Sequence, residues 1–257
     1  MNRQMSKRRC STDHIKIQFL GSGDAFGSGG RLQSCILVKY SDGQFLIDCG
    51  ASCLVGMNRY GVDPNDIGMI LISHLHGDHS GGVPFFLIGS QLLYKRTEPL
   101  LIIGPPGMKD WVHRAMEIFF PGSSGIKRKF SLELIEFKNR FPEKVRGVTA
   151  TPYSNLHHGD SSFSLRIECD GKIIAYSSDT EWTDTLCEVA SSADLLIAEA
   201  YFYEKKIRGH MDYITLMSNY SKIKAKRLML IHMSADMLAM LEKIQSEYAE
   251  DGKIVKV

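Results

Sequence analysis

One short stretch restricts the fold of this chain more than any other: "SHLHGDHSGG" at residues 73–82. It places three of the nine histidines and an aspartate within six positions: His74, His76, Asp78 and His79. Alternate side chains of extended backbone share a face, so His74 and His76 can chelate one ion, while Asp78 and His79, beyond a glycine, face a second. Such ligands suit Zn²⁺, with Mn²⁺ or Fe as alternatives. The fold has to bring further ligands to this stretch from distant segments.

Short apolar segments bounded by Gly, Asp or Pro recur along the chain and predict β-strands. They cover residues 15–20, 35–40, 44–48, 69–73, 100–103, 130–137, 145–151, 163–169, 172–176, 195–198, 228–231 and 253–257. Helical patterns are fewer and cover residues 108–120, 211–222 and 235–250. Strands in both halves, with helices between them, predict two packed sheets with helices outside.

Composition and length set broad limits on the function. No apolar run approaches the roughly 18–20 residues of a membrane span, so we expect no membrane partner. The six cysteines are scattered without CxxC spacing, which favours a reducing cytoplasm over a disulfide framework. The net charge of +2 neither demands nor excludes a nucleic-acid partner. Residues 1–13 are predicted to be a disordered leader, and residues 14–257 one domain.

The HxHxDH pattern, one segment before it and three segments after it resemble the metallo-β-lactamase superfamily. These segments are "FLIDCG" (45–50), "NLHHGDSSFSLRI" (155–167), "AYSSDT" (175–180) and "LMLIHMS" (228–234). The resemblance covers most of the chain and implies an α+β fold, the αββα four-layer sandwich, with a dinuclear site at one edge of the sheets. Two Zn²⁺ ions are the implied cofactors, with Mn²⁺ or Fe possible.

The resemblance also implies which residues hold each ion. One ion takes His74, His76 and a histidine at 157 or 158, the other takes Asp78, His79 and His232, and Asp179 bridges both. His158 is preferred over His157, because in the ribonuclease Z branch this ligand lies eight residues before an Arg-Ile pair, and Arg166 is eight after His158. The family usually has Gly before the bridging aspartate, whereas Ser178 stands here, which leaves the local turn geometry open.

The segment "IAEAYFYEKKIRGHMDY" (197–213) resembles the ribonuclease Z and phosphodiesterase branch of this superfamily. That branch has a Glu-Ala pair after a strand and a histidine about ten residues later, positions that Glu199 and His210 match. Tyr201 replaces the threonine that usually follows Glu-Ala. The implied reaction is attack of a metal hydroxide on phosphorus, with Asp78, Glu199 and His210 as catalytic residues. The same branch implies a homodimer.

The segment between the third histidine and Asp179 bears on the substrate. Many tRNA 3′-processing enzymes insert a long basic arm here, but this chain has only 21 positions from His158 to Asp179, enough for two strands and the Asp170-Gly171 turn. Because RNA affinity depends on many phosphate contacts, a small or cyclic phosphodiester is favoured. A ribonuclease Z-like tRNA 3′-processing endoribonuclease is the alternative, so RNA remains a possible partner. A lactonase or thioesterase, or a regulatory protein with a vestigial site, is a further alternative.

Overall fold

Two sheets of seven strands each form the centre of the molecule in a computed structural model that describes residues 15–157 and 161–257. In spatial order, the first sheet contains β14 (Ile254–Lys256), β1 (Lys16–Gly21), β2 (Cys35–Tyr40), β3 (Gly43–Ile47), β4 (Ile67–Leu71), β5 (Leu100–Gly104) and β6 (Leu132–Glu136). Strands β14 to β3 pair antiparallel, whereas β3 to β6 run parallel. The carboxyl ends of the parallel strands therefore share one edge.

The second sheet repeats this mixed arrangement. In spatial order it contains β13 (Glu247–Tyr248), β12 (Leu228–Ile231), β11 (Leu195–Glu199), β10 (Lys172–Tyr176), β9 (Phe163–Cys169), β8 (Val148–Ser154) and β7 (Glu143–Val145). Strands β10 to β13 are parallel neighbours, and β7 to β10 are antiparallel. Here too the parallel strands end at a common edge.

The described residues form seven α-helices. They are α1 (Cys53–Arg59), α2 (Gly77–Ser80), α3 (Val83–Leu92), α4 (Met108–Phe119), α5 (Thr185–Val189), α6 (Tyr213–Asn219) and α7 (Ala235–Leu238). Six of them, all but α2, cover the outer faces of the sheets. One apolar cluster lies between the sheets, a second packs α1, α3 and α4 on the first sheet, and a third packs α5 to α7 on the second. The order helix, sheet, sheet, helix confirms the predicted α+β sandwich. Among the described residues no helix is long and apolar enough to span a membrane.

The sequence pattern located the strands better than the helices. Strands β2, β9, β10 and β12 have the predicted bounds, whereas the predicted helix over 235–250 is wrong. That segment forms α7, a 3-10 turn at 241–243 and β13, which pairs with β12. Pairing with the sheet overrides the helical pattern there. The pattern also missed α3, because its sequence "VPFFLIGSQL" is apolar at most positions and shows no helical period.

Candidate active site

Acidic and imidazole side chains converge where strands of both sheets end. His74 follows β4, Asp179 follows β10, Glu199 is the last residue of β11, and His232 follows β12. The neighbouring carboxyl ends of parallel strands bring these residues together from four distant segments. Asp78 and His79 lie on α2, a single helical turn that starts right after His76, rather than on an extended loop.

The first potential metal-binding group consists of His74, His76 and His157. Their ligand atoms lie within 4.8 Å of one another, and Nε2 of His157 is 3.0 Å from Nδ1 of His76. His157 donates from Nδ1 to the Gly209 carbonyl at 2.7 Å, which leaves Nε2 as a lone-pair donor. Nε2 of His74 is buried without a hydrogen-bond partner among the described residues. An orphaned buried nitrogen facing two other imidazoles fits a metal ligand.

The preferred third histidine, His158, lies outside the described residues, as do Gly159 and Asp160. His157, the alternative, is the described histidine that joins His74 and His76. Its position is fixed from the far side by the Gly209 carbonyl, one residue before His210. Sequence spacing alone did not reveal this contact, because Gly209 is 52 positions away.

The second potential metal-binding group consists of Asp78, His79, Asp179 and His232, all buried. Nε2 of His79 lies 3.3 Å from Oδ2 of Asp78, 3.3 Å from Oδ1 of Asp179 and 3.4 Å from Nε2 of His232. Oδ2 of Asp179 is 3.5 Å from Nε2 of His232 and 3.8 Å from Nε2 of His157. The Asp179 carboxylate therefore contacts both groups, as a bridging ligand would.

The imidazoles and carboxylates of the second group shift one another's pKa values. Burial opposes a charge on His232, but Asp179, Asp78 and Glu199 outweigh it and raise the pKa of His232 to about 10. Burial likewise opposes a charge on His79, and Asp179 and Asp48 raise its pKa well above the usual value. Although burial acts in the opposite direction, these imidazoles lower the pKa of Asp78 and of Asp179. The buried carboxylates and imidazoles of this group therefore attract one another, and a bound ion would take the imidazoles in their neutral form.

Asp48 is a site residue that the sequence analysis did not single out. It follows β3, is fully buried, and accepts hydrogen bonds on Oδ2 from Nδ1 of His79 at 2.7 Å and from the Tyr176 hydroxyl at 2.8 Å. Its Oδ1 accepts from the backbone N–H of Ser73 at 2.8 Å. Asp48 therefore fixes the ring of His79 and the backbone before His74. A buried carboxylate directly after an apolar strand, in "FLIDCG", was the available signal.

Three residues of the site have left-handed backbone conformations that L-residues seldom adopt. The φ angles are +60° for Asp48, +55° for Ser178 and +59° for His232. The angle at Ser178 explains why glycine is usual before the bridging aspartate, because glycine carries no penalty there. Ser178 nevertheless accommodates the turn, and its hydroxyl lies 3.4 Å from Nδ1 of His74. Strain of this kind persists where surrounding contacts enforce it.

Glu199 and His210, predicted as a pair, are in contact. Nδ1 of His210 donates to Oε1 of Glu199 at 2.5 Å, and Oε2 of Glu199 accepts from the backbone N–H groups of Thr180 and Met211 at 3.0 Å. Oε1 also lies 3.3 Å from Nδ1 of His232. Nδ1 of His210 is 3.8 Å from Oδ2 of Asp179, so the imidazole borders the second group. Burial opposes its charge, but Glu199 raises the pKa of His210 overall.

Known proteins resemble this chain over nearly its whole length. The family model described as "Anti-Pycsar protein Apyc1" matches residues 15–254. A ribonuclease Z of Exiguobacterium sp. is 26% identical over 285 residues, covering 92% of this chain and 94% of that protein. The metallo-β-lactamase fold protein YhfI from Bacillus subtilis has a TM-score of 0.77 and 21% identity, covering 95% and 100% of the chains. Human tRNase Z, short form, has a TM-score of 0.75 and 24% identity, covering 93% and 98%.

The family match takes in the fourteen strands of the described residues, except the last residues of β14, and it includes the first and second ligand groups. The solved structures share the sandwich fold across more than nine-tenths of this chain. This chain belongs to the Anti-Pycsar protein Apyc1 family, within the ribonuclease Z and phosphodiesterase branch of the metallo-β-lactamase superfamily of metal-dependent hydrolases.

Proposed function

We propose that this protein hydrolyses a small or cyclic phosphodiester at a dinuclear metal site. The observation that carries the proposal is the buried Glu199, which holds His210 beside Asp179, the carboxylate that contacts both ligand groups. Bound divalent cations would supply Lewis-acid activation of the phosphate and of a water molecule. We assign His74, His76 and His157 to one ion, Asp78, His79 and His232 to the other, and Asp179 to both.

In this proposal His210 supplies the proton that the leaving oxygen requires. Its Nδ1 is held by Glu199, so Nε2 is the nitrogen available to a substrate, and the side chain is 20% exposed. Glu199 stabilises the protonated imidazole of His210 and so raises its pKa, although burial acts in the opposite direction. The Glu199 carboxylate is fixed in this position, because its Oε2 accepts hydrogen bonds from two backbone N–H groups. A fixed carboxylate and an accessible imidazole form the pattern expected of a general acid.

The short connection before Asp179 supports a compact substrate. Strands β9 and β10 join through a turn in which Asp170 and Gly171 both have positive φ, so residues 161–179 contain no inserted arm. The alignment with the Exiguobacterium ribonuclease Z spans 285 residues, more than the 257 of this chain, so that relative has segments without counterpart here. Because RNA affinity depends on many phosphate contacts, a connection without a basic arm favours a compact substrate.

A tRNA 3′-processing activity is the second candidate, and one surface observation favours it. Lys205, Lys206 and Arg208 are exposed on the loop that leads to His210. Cations next to a catalytic imidazole suit a substrate whose backbone continues beyond the cleaved bond. The curated relatives described as ribonuclease Z add to this reading.

We also propose a homodimer that forms through the outer surface of α3 and α4. The ring centroids of Phe85 and Phe119 are 5.3 Å apart, as are those of Phe85 and Phe120, while Phe85 is 38% and Phe119 is 50% exposed. Exposed aromatic clusters of this kind mark protein contacts. Phe119→Asp is expected to shift the molar mass measured by light scattering from dimer to monomer, whereas an unchanged mass would contradict the proposal.

Zn²⁺ is the proposed ion, because imidazole and carboxylate ligands suit it, and Mn²⁺ and Fe are the alternatives. The described cysteines are all free, and four of them are buried, which supports a reducing compartment such as the cytoplasm. Elemental analysis of protein purified without added metal tests the ion. A content near two ions per chain is expected.

The decisive experiment compares 3′,5′-cyclic nucleotides, linear dinucleotides and precursor tRNA as substrates under one set of conditions. Our proposal expects turnover of the compact diesters, and His210→Ala is expected to lower it by about 10²–10⁴-fold while metal content stays unchanged. His113→Ala, which removes an exposed histidine of α4, is the control. Cleavage confined to precursor tRNA would favour the second candidate, and an unaffected rate in His210→Ala would remove the assigned acid.

A further inference from the structure

Tyr201 lies beside His210, but the proposed proton transfer to the leaving oxygen does not involve it. It comes two residues after Glu199, in the segment that joins β11 to the loop carrying His210. Its backbone N–H donates to the Met211 carbonyl at 2.8 Å, and its carbonyl accepts from the N–H of Ser234 at 3.0 Å. These bonds tie Tyr201 to the segments that follow His210 and His232. Its position is therefore as well determined as that of the catalytic groups.

The ring of Tyr201 forms one wall beside His210. The two ring centroids are 4.6 Å apart with an interplanar angle of 28°, which is a stacked arrangement. The ring centroid of His232 is 5.7 Å away on the inner side. The tyrosine ring is half-buried, so it borders the exposed side of the site rather than the apolar core. Tyr201 therefore lies in direct contact with the imidazole that is proposed to protonate the leaving oxygen.

The hydroxyl of Tyr201 is a donor without an acceptor in the described part of the chain. The hydroxyl of Tyr176, by contrast, donates to Oδ2 of Asp48 at 2.8 Å. A phenol hydroxyl can donate one hydrogen bond. The hydroxyl therefore presents a hydrogen-bond donor at the mouth of a site that would hold a phosphate.

We propose that Tyr201 is a substrate-binding residue whose hydroxyl donates a hydrogen bond to a phosphate oxygen of the diester. The inference rests on the proposed phosphodiesterase function and specifies how this site grips its substrate. A threonine at this position, usual in the related branch, has no ring to stack on His210 and a shorter reach for its hydroxyl. The stacking of the Tyr201 ring on His210 would thus fix the direction of the hydroxyl that contacts the phosphate.

Two variants separate the hydroxyl from its surroundings. Tyr201→Phe removes the donor and keeps the stacked ring, while Tyr203→Phe removes a hydroxyl two residues away whose ring stacks on Tyr213. Binding of inorganic phosphate to the zinc-loaded protein is measured by calorimetry, and kcat and KM are measured with 3′,5′-cyclic nucleotides. In Tyr201→Phe the Kd for phosphate and the KM are expected to rise about tenfold with kcat nearly unchanged. Tyr203→Phe is expected to match the wild type.

The outcomes distinguish this inference from the proposed function. Equal phosphate affinity in Tyr201→Phe and the wild type, or no phosphate binding by the wild type, would overturn the role of Tyr201. Weaker phosphate binding in Tyr201→Phe together with no hydrolysis of any compact diester would retain that role and overturn the proposed substrate. A fall in kcat with KM unchanged would mean that the hydroxyl acts on His210 rather than on bound substrate, which contradicts the inference.

Discussion

The two ligand groups of the site have different support from the surrounding protein. The group of Asp78, His79, Asp179 and His232 is wholly buried, and two further carboxylates, Asp48 and Glu199, contact its imidazoles from behind. The group of His74, His76 and His157 has one buried, one exposed and one half-buried residue. Behind it lie hydroxyls and a backbone carbonyl: Ser73, Ser178 and the Gly209 carbonyl.

This difference suggests separate roles for electrostatics and geometry in the two groups. In the second group, the neighbouring carboxylates raise the pKa of His79 and of His232. In the first group, burial and the charge of His79 lower the pKa of His74, so neutral imidazole is already the favoured form. The first group consists of three imidazoles and has no carboxylate of its own. Negative charge is provided by Asp179, whose Oδ2 lies 3.8 Å from Nε2 of His157.

The largest effect is expected from Asp179, which belongs to the second group and also contacts the first. Asp179→Asn keeps the size of the side chain but removes the negative charge that joins the groups. We expect loss of at least one ion and a fall in phosphodiester hydrolysis of about a thousandfold. Elemental analysis and initial rates measure both. Asp110→Asn, at a side chain that is 72% exposed, is the control, and two retained ions in Asp179→Asn would refute the bridging assignment.

The adjacent histidines give the next largest effect. His157→Ala removes a ligand of the first group, so we expect one ion rather than two and a loss of activity of about a hundredfold. The second group should keep its ion, since none of its own ligands changes. His158→Ala is the matched comparison and is expected to retain both ions. The reverse result would restore the preference that spacing from Arg166 suggested.

How far the sequence predicts this site depends on whether a residue's role is local. The sequence predicted His74, His76, Asp179 and His232 as ligands from their positions after apolar strands, and the structure places them close together. Their role as metal ligands stays a prediction. The preference for His158 rested on spacing alone, and His158 lies outside the described residues. The bond from His157 to the distant Gly209 is a contact that spacing cannot reveal. The helical pattern over 235–250 failed for a similar reason: pairing with β12 is a long-range interaction that local periodicity does not contain.

The support behind the second group can be removed without touching a ligand. Asp48→Asn replaces the carboxylate that accepts from Nδ1 of His79, so His79 loses its orientation and its charged partner. We expect affinity for the second ion to fall about 10–100-fold. Competition with a chelator of known affinity measures this change. Ser178→Ala, which removes the hydroxyl near His74 in the first group, should weaken binding less, and equal losses would contradict the comparison.

The smallest effect concerns backbone strain beside the first group. Ser178 has φ of +55°, where an L-residue costs about 1 kcal/mol, so Ser178→Gly relieves strain but also gains freedom in the unfolded chain. A net change in unfolding free energy below about 1 kcal/mol is expected from chemical denaturation. Ser192→Gly, at an exposed residue with φ of +56°, provides the matched comparison. If the two changes agree, the strain at Ser178 is ordinary turn strain. A clearly larger stabilisation from Ser178→Gly than from Ser192→Gly would mean that the contacts around Asp179 hold this turn in a strained conformation.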